Sequence, residues 1–215
     1  MNICSVPNCG VHVYCNAKFC NRHYNQLRLH GKILETTKFD KNKFFIDGVI
    51  CWIILCNNKC IEIARAKIYT IYYEILKDYK WHLTNKGYVE HVWYDQDGQH
   101  QMTLHGAIIE LSSKIVKAGE EIDHKDGDKL NCLDDNLRIC NHLQNSRNRK
   151  TQKNKSSKYK GVTWYKSYKN WKAYIKFNGK LINLGYYLTE NEAAQAYNEA
   201  AIKYFGEFAQ LNIIE

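Results

Sequence analysis

The chain has 215 residues, with 31 lysines and arginines against 22 aspartates and glutamates, for a formal net charge of +9. That length supports one large domain or two to three small ones, and no uninterrupted apolar run approaches the ~18 residues of a membrane span. The opening Met-Asn-Ile-Cys-Ser-Val-Pro lacks the basic start and apolar stretch of a secretory signal. The nine cysteines therefore read as metal ligands and buried thiols, not as a disulfide framework. What remains is a folded, basic, intracellular protein (cytoplasm or nucleus), not secreted, without a membrane partner and suited to a polyanion.

Residues 1–31 carry Cys4, Cys9, Cys20 and His23, spaced by four, ten and two intervening residues. Two pairs of soft ligands that turn back on one ion suit a closed, structural Zn²⁺ site, with Cys15 able to replace one of them. So short a module cannot bury enough surface to fold alone, and a metal supplies what its core lacks.

Residues 32–105 read as a small α+β segment with no chemistry of its own. Apolar runs around Asn57-Asn58-Lys59 predict a hairpin over Ile46–Ile63. Ile68, Ile71, Tyr72, Ile75, Leu76 and Tyr79 fall at helical spacing and predict a helix over Ala66–Lys80. Strands are expected at Tyr88–Tyr94 and Gln101–His105, and Cys56 and Cys60 are expected as buried thiols.

Residues 106–150 contain the densest chemistry, from Glu121 to Asn145. Asp123 beside His124 pairs a carboxylate with an imidazole, Gly127 allows a turn, and Asn136-Leu-Arg-Ile-Cys140 reads as a returning strand. Asn141 suits the N-cap of a helix that carries Asn145 one turn on. Carboxylate and amide oxygens are hard donors, too few for a structural cage and suited to Mg²⁺ with several waters retained. The competing reading is a calcium-type loop of Asp123, Asp126, Asp128 and Asp134, but the glycine and terminal glutamate spacing of an EF-hand is missing.

A polar, aperiodic stretch at 151–158 reads as a basic linker, and residues 159–215 form a last compact unit. Residues 1–137 carry 17 basic and 17 acidic side chains, whereas 138–215 carry 14 against 5, so the whole excess charge sits at the back. Strands are predicted over Tyr159–Tyr165, Asn170–Phe177 and Lys180–Tyr187, the last two joined by an Asn178-Gly179 type I′ turn. Thr189 and Glu192 form a capping box for a helix through Tyr204, which Gly206 ends. Alternation turns Trp171, Ala173, Ile175 and Phe177 toward that helix and leaves Lys172, Tyr174 and Lys176 on a free basic-aromatic face.

The run Asp123-His124, Asn136, Asn145 resembles the homing-type HNH endonuclease family at its characteristic intervals. His23-Tyr-Asn-Gln-Leu-Arg-Leu-His-Gly31 resembles the zinc modules that precede some of these nucleases. The resemblance implies an α+β protein with a ββα-metal nuclease core that hydrolyses phosphodiester bonds in double-stranded DNA with Mg²⁺ or Mn²⁺. In it Asp123 and Asn145 hold the metal, His124 is the general base, Asn136 orders the loop, and Arg138, Arg147 and Arg149 contact phosphates. Tyr159-Lys-Gly-Val162, Leu184-Gly-Tyr186 and Glu192-Ala-Ala-Gln-Ala-Tyr-Asn-Glu-Ala-Ala201 resemble the Apetala/ERF-type DNA-binding domain of plant regulators and of phage and large-virus nucleases. That resemblance implies a three-stranded sheet plus helix that reads DNA through Lys160, Thr163, Tyr165, Tyr174, Lys176, Leu181 and Asn183. A monomer is expected, and Lys-, Asn-, Ile- and Tyr-rich usage fits an AT-rich source such as a large DNA virus. The alternatives are a sequence-specific DNA-binding regulator with an inactive nuclease fold and, third, an RNA binder.

Overall fold

The computed structural model describes residues 2–7, 9–13, 17–33, 40–148 and 156–214; Cys15, Arg149 and residues 151–155 of the expected linker lie outside them. The protein is a mixed α/β structure built from several small antiparallel sheets. At the front, β1 (Asn2–Ile3) pairs with β2 (His12–Val13), and α1 (Asn21–His30) follows. Gly31, left-handed at φ 68°, ends α1 with its N–H on the Leu27 carbonyl, a conformation that glycine adopts without a Cβ penalty.

The main core begins with a meander of β3 (Phe44–Asp47), β4 (Ile50–Cys56) and β5 (Glu62–Tyr69). Cys51, Ile53 and Leu55 are fully buried between half-buried neighbours, the two-residue period of a strand with one covered face. The helix expected over Ala66–Lys80 does not form. Ala66 and Ile68 are fully buried in β5, which pairs with β4 through Tyr69, and only a single 3-10 turn (Thr70–Tyr72) and α2 (Tyr73–Leu76) follow. The long-range ladder outweighs the helical spacing, and Ile71 and Ile75 face solvent.

The second sheet is β6 (Trp81–Leu83), β7 (Val89–Asp95) and β8 (Gly98–Thr103). The strand expected through His105 stops at Thr103, because the Thr103 hydroxyl accepts the Gly106 N–H at 3.2 Å and caps α3 (Leu104–Leu111). Leu104, Ile108 and Ile109 of α3 close one core with Ile53, Ile68, Trp81 and Val89, against which Leu137 of the next hairpin also packs. Cys56 and Cys60, expected buried, are only half-covered, whereas Cys51, Cys132 and Cys140 are buried.

β9 (Glu120–His124) and β10 (Leu137–Asn141) form an antiparallel hairpin, followed by α4 (His142–Arg147). Asn141 caps α4 reciprocally with Gln144, as its position suggested. The long loop inside this hairpin hangs on the edge of β5: Lys67 N–H donates to Leu130 O at 2.8 Å, and Cys132 N–H donates to Lys67 O at 2.9 Å.

The C-terminal unit is a sheet of β11 (Val162–Tyr165), β12 (Asn170–Phe177) and β13 (Lys180–Tyr187), backed by α5 (Glu190–Phe205). Asn178 and Gly179 both take positive φ, as a type I′ turn requires. Thr189 and Glu192 form the expected capping box, and Ala193, Ala194 and Ala201 are buried where α5 lies close on the sheet. Among the described residues no helix is long and apolar enough to cross a membrane.

Candidate active site

Pairing of β9 with β10 sets Asp123 opposite Arg138 and His124 opposite Leu137. A cleft of about 480 Å³ opens beside them, lined by Tyr88, Asp123, His124, Gly127, Lys129, Asn145 and Asn148, among others. Three of the four central expected residues thus meet in one cleft, whereas Asn136 lies outside its lining. Asn136 works on the loop instead: its amide nitrogen donates to Asp126 (3.0 Å) and to Asn131 O (2.8 Å), and its amide oxygen accepts the Asp126 N–H at 3.2 Å. Burial pushes the Asp126 carboxyl up, but donors from Asn131, the Asp128 N–H and Asn136 more than reverse this and hold it below the usual range.

Asp123 is buried and surrounded by donors. Arg138 reaches its Oδ2 through Nε (2.9 Å) and Nη2 (2.7 Å), and Asn148 Nδ2 lies 3.0 Å from each oxygen. Arg138, expected at a phosphate, therefore has its guanidinium nine-tenths covered on Asp123. Its Nη1 donates to the Glu207 carbonyl, and its guanidinium lies 4.2 Å from the centre of the Phe208 ring. The arginine thus joins the β9–β10 hairpin to the turn after α5. On α4, Asn145 donates its amide N–H to Glu121, which also receives His142 Nδ1 at 2.8 Å.

His124 is 4% exposed. Its Nε2 lies 3.7 Å from the Cys132 sulfur, and its ring meets His105 edge-on at 5.2 Å. Burial lowers its basicity; the Asp126, Asp123 and Asp128 carboxylates oppose that, and the net direction remains downward, so the ring is neutral at neutral pH. Burial, helped by His124, pulls His105 down to about 4, and its buried Nδ1 has no hydrogen-bond partner among the described residues. Tyr88, over which Lys129 places its ammonium at 4.2 Å, completes the wall. The middle segment, expected to have no chemistry, therefore supplies Tyr88 to the cleft and sets His105 against the His124 ring. Of the residues the sequence reading missed, Asn148 left one trace, its place one helical turn after Asn145.

At the N-terminus the ligand atoms of Cys4, Cys9, Cys20 and His23 all lie within 4.8 Å of one another. His23 Nδ1 is 3.2 Å from Cys4 Sγ and 3.4 Å from Cys20 Sγ. Burial would raise the Cys4 thiol, but the backbone at Cys20 and Val6, with His23, outweighs it and brings the thiol down to about 6. This is the thiolate character that metal ligation needs, and the cluster could hold zinc.

On the C-terminal sheet, cross-strand partners put Thr163, Lys172 and Tyr186 in one row, Tyr174 opposite Asn183, and Lys176 opposite Leu181. All lie on the face away from α5. Tyr165, Tyr168 and Tyr186 cluster there with centroids 5.3–5.6 Å apart, and the Lys172 ammonium sits 5.8 Å from Tyr186. Lys160 is turned differently, its ammonium on the Arg147 carbonyl, and the Arg147 guanidinium lies 4.8 Å over Phe205.

The HNH endonuclease family profile matches residues 114–147, which span this hairpin and helix. The chain is 35% identical over 193 residues to an uncharacterized HNH endonuclease of Acanthamoeba polyphaga mimivirus, covering 86% of this chain and 96% of that protein. It is 37% identical over 79 residues to Protein 3.8 of Escherichia phage T7, covering 37% of this chain and 65% of the phage protein. An AP2-like ethylene-responsive transcription factor of Arabidopsis thaliana is 38% identical over 68 residues, 32% of this chain and 14% of the plant protein. No solved structure matches the chain.

Proposed function

The chain belongs to the HNH endonuclease family, and on that premise we propose that it is a homing-type, divalent-metal-dependent endonuclease of double-stranded DNA with a ββα-metal core. The observation that carries this reading is the meeting of Asp123, His124 and Asn145 in one cleft beside the β9–β10 hairpin. The donor chemistry fits Mg²⁺ or Mn²⁺: one carboxylate and one amide oxygen supply hard ligands and leave room for water and phosphate. Asp123 and Asn145 would hold the ion. When bound, it would neutralise charge on the scissile phosphate and polarise its leaving oxygen.

His124 takes the proton of the attacking water. Its Nε2 faces the buried Cys132 sulfur, so Nδ1 is the nitrogen that accepts, and burial keeps the ring unprotonated and ready to do so. Asn136 holds the loop that follows His124 at the end of β9, by tying Asp126 to Asn131.

The C-terminal sheet is the DNA reader, of Apetala/ERF type, and the shared face of Thr163, Tyr165, Tyr174, Lys176, Leu181 and Asn183 supports this. Lysines on that face attract phosphate without the bidentate guanine contact of arginine, which makes affinity salt-sensitive. Cys4, Cys9, Cys20 and His23 would hold a structural Zn²⁺, which with four protein ligands would take no part in the chemistry. The working unit is a monomer.

The test is supercoiled plasmid incubated with Mg²⁺ or Mn²⁺. Wild type is expected to cut it, and His124→Ala to lose about 10²–10⁴-fold of the rate. Binding without cutting in either metal would support the DNA-binding regulator with an inactive nuclease fold instead.

A further inference from the structure

Asn148 is 6% exposed and caps the C-terminal end of α4, the helix that carries Asn145. Its side-chain nitrogen reaches back to β9, donating to both oxygens of Asp123 at 3.0 Å and to the His124 carbonyl at 2.7 Å. An amide nitrogen has two hydrogens, so one is shared across the carboxylate and the other is given to the backbone of the base. The side chain thus ties the metal-binding helix to the Asp-His strand at its most covered point.

The donors on Asp123 are distributed unequally. Oδ2 receives Arg138 Nε, Arg138 Nη2 and Asn148 Nδ2, whereas among the described residues Oδ1 receives Asn148 Nδ2 alone. An ionised carboxylate offers about two lone-pair sites per oxygen. Oδ2 is therefore fully engaged by the protein, and Oδ1 keeps capacity for a cation.

We infer that Asn148 is a positioning residue of the nuclease: it holds Asp123 so that Oδ1 is presented to the divalent ion, and it fixes the backbone of His124 relative to α4. This inference rests on the reading of Asp123 as a metal ligand. Asn148 touches neither substrate nor metal and acts through the two residues it binds, as partners behind metal ligands do.

The test uses the full-length protein and Mn²⁺ alone, with free Mn²⁺ followed by electron paramagnetic resonance. Wild type is expected to show one site that Asp123→Ala removes. Asn148→Ala should weaken that site by about 10- to 100-fold, the usual cost of losing such a partner. Asn148→Ser, which keeps a donor on a shorter arm, should fall between. Duplex DNA binding without added Mn²⁺ or Mg²⁺ should stay within twofold for both variants, which a general loss of structure would not allow. If Asn148→Ala does not fold, Asn148→Ser carries the test. Mn²⁺ affinity within twofold of wild type in whichever variant folds overturns the inference and leaves the nuclease reading intact. A wild type with no Asp123-dependent Mn²⁺ site overturns both.

Discussion

Gly161 stands in the Tyr-Lys-Gly-Val stretch that opens the C-terminal unit, and the structure states why no other residue fits. Its φ is +73°, and a Cβ added there would lie 1.9 and 2.4 Å from Tyr197 ring carbons and 2.6 Å from the Tyr174 carbonyl oxygen. Neither neighbour can yield: Tyr197 is buried among Ile175, Ala200, Ala201 and Phe205, and the Tyr174 oxygen belongs to a paired strand. Gly161→Ala therefore incurs the left-handed penalty of about 1–2 kcal/mol and an overpacking cost of about 1–3 kcal/mol, together about 2–5 kcal/mol. Gly179→Ala is the matched control, since its φ is +78° but nothing lies within 4 Å of the added carbon; it should cost only the first term, about 1–2 kcal/mol. Urea unfolding followed by tryptophan fluorescence reads the difference, because Trp164 and Trp171 form an edge-on pair on this unit. At a urea slope of about 2 kcal/mol per molar, the Gly161→Ala midpoint should fall by about 1–2.5 M and the Gly179→Ala midpoint by about 0.5–1 M. DNA affinity should follow the fraction folded. Equal midpoints for the two variants would refute the clash argument.

Other outcomes follow from the same geometry. His105 is held neutral in the fold with a pKa of about 4, below the ordinary ~6.5 of the unfolded chain, so the unfolded state binds more protons between those values and stability is lost as pH falls through that window. The loss through this residue is at most about 3 kcal/mol, and urea unfolding at pH 7 and pH 4.5 should show His105→Gln flattening the dependence; an unchanged slope would contradict it. Zinc removal by chelator, or Cys20→Ser, should abolish amide-exchange protection in α1 while the core from β3 to β10 keeps its own; loss of protection throughout would contradict a self-contained module. Lys172→Ala and Lys176→Ala should each make the slope of log affinity against log salt shallower by about 0.9 if each side chain neutralises one phosphate, and unchanged slopes would remove that face from the DNA contact.

Much of the site was legible because its signals are local. The intervals between Asp123, His124, Asn136 and Asn145 follow from one hairpin and one helix, and the Asn141 cap that starts the helix is a local signal, to which the structure adds the return bond from Gln144. The same holds for the Asn178-Gly179 turn and the Thr189–Glu192 box. The helix expected over Ala66–Lys80 failed for the opposite reason. Apolar spacing there suits two periods, and the choice lay with β4, whose edge offers hydrogen bonds that the sequence of β5 does not announce.

Composition and spacing by themselves determined the neutral front and basic back of the chain, the Cys/His cluster, the turn and cap chemistry of the C-terminal unit, and the Asp-His-Asn-Asn series. Only the tertiary structure decided how those side chains are used. Arg138 turns inward to Asp123 and is held by Glu207 and Phe208, 69 and 70 residues further on. Asn148 closes on Asp123 across 25 residues, Tyr88 reaches the cleft from the connection between β6 and β7, and His105 of α3 packs against the His124 ring. Periodicity and capping are set by neighbours within a turn or two, whereas the partner of a buried charge is set by which distant donors the packed core brings within reach.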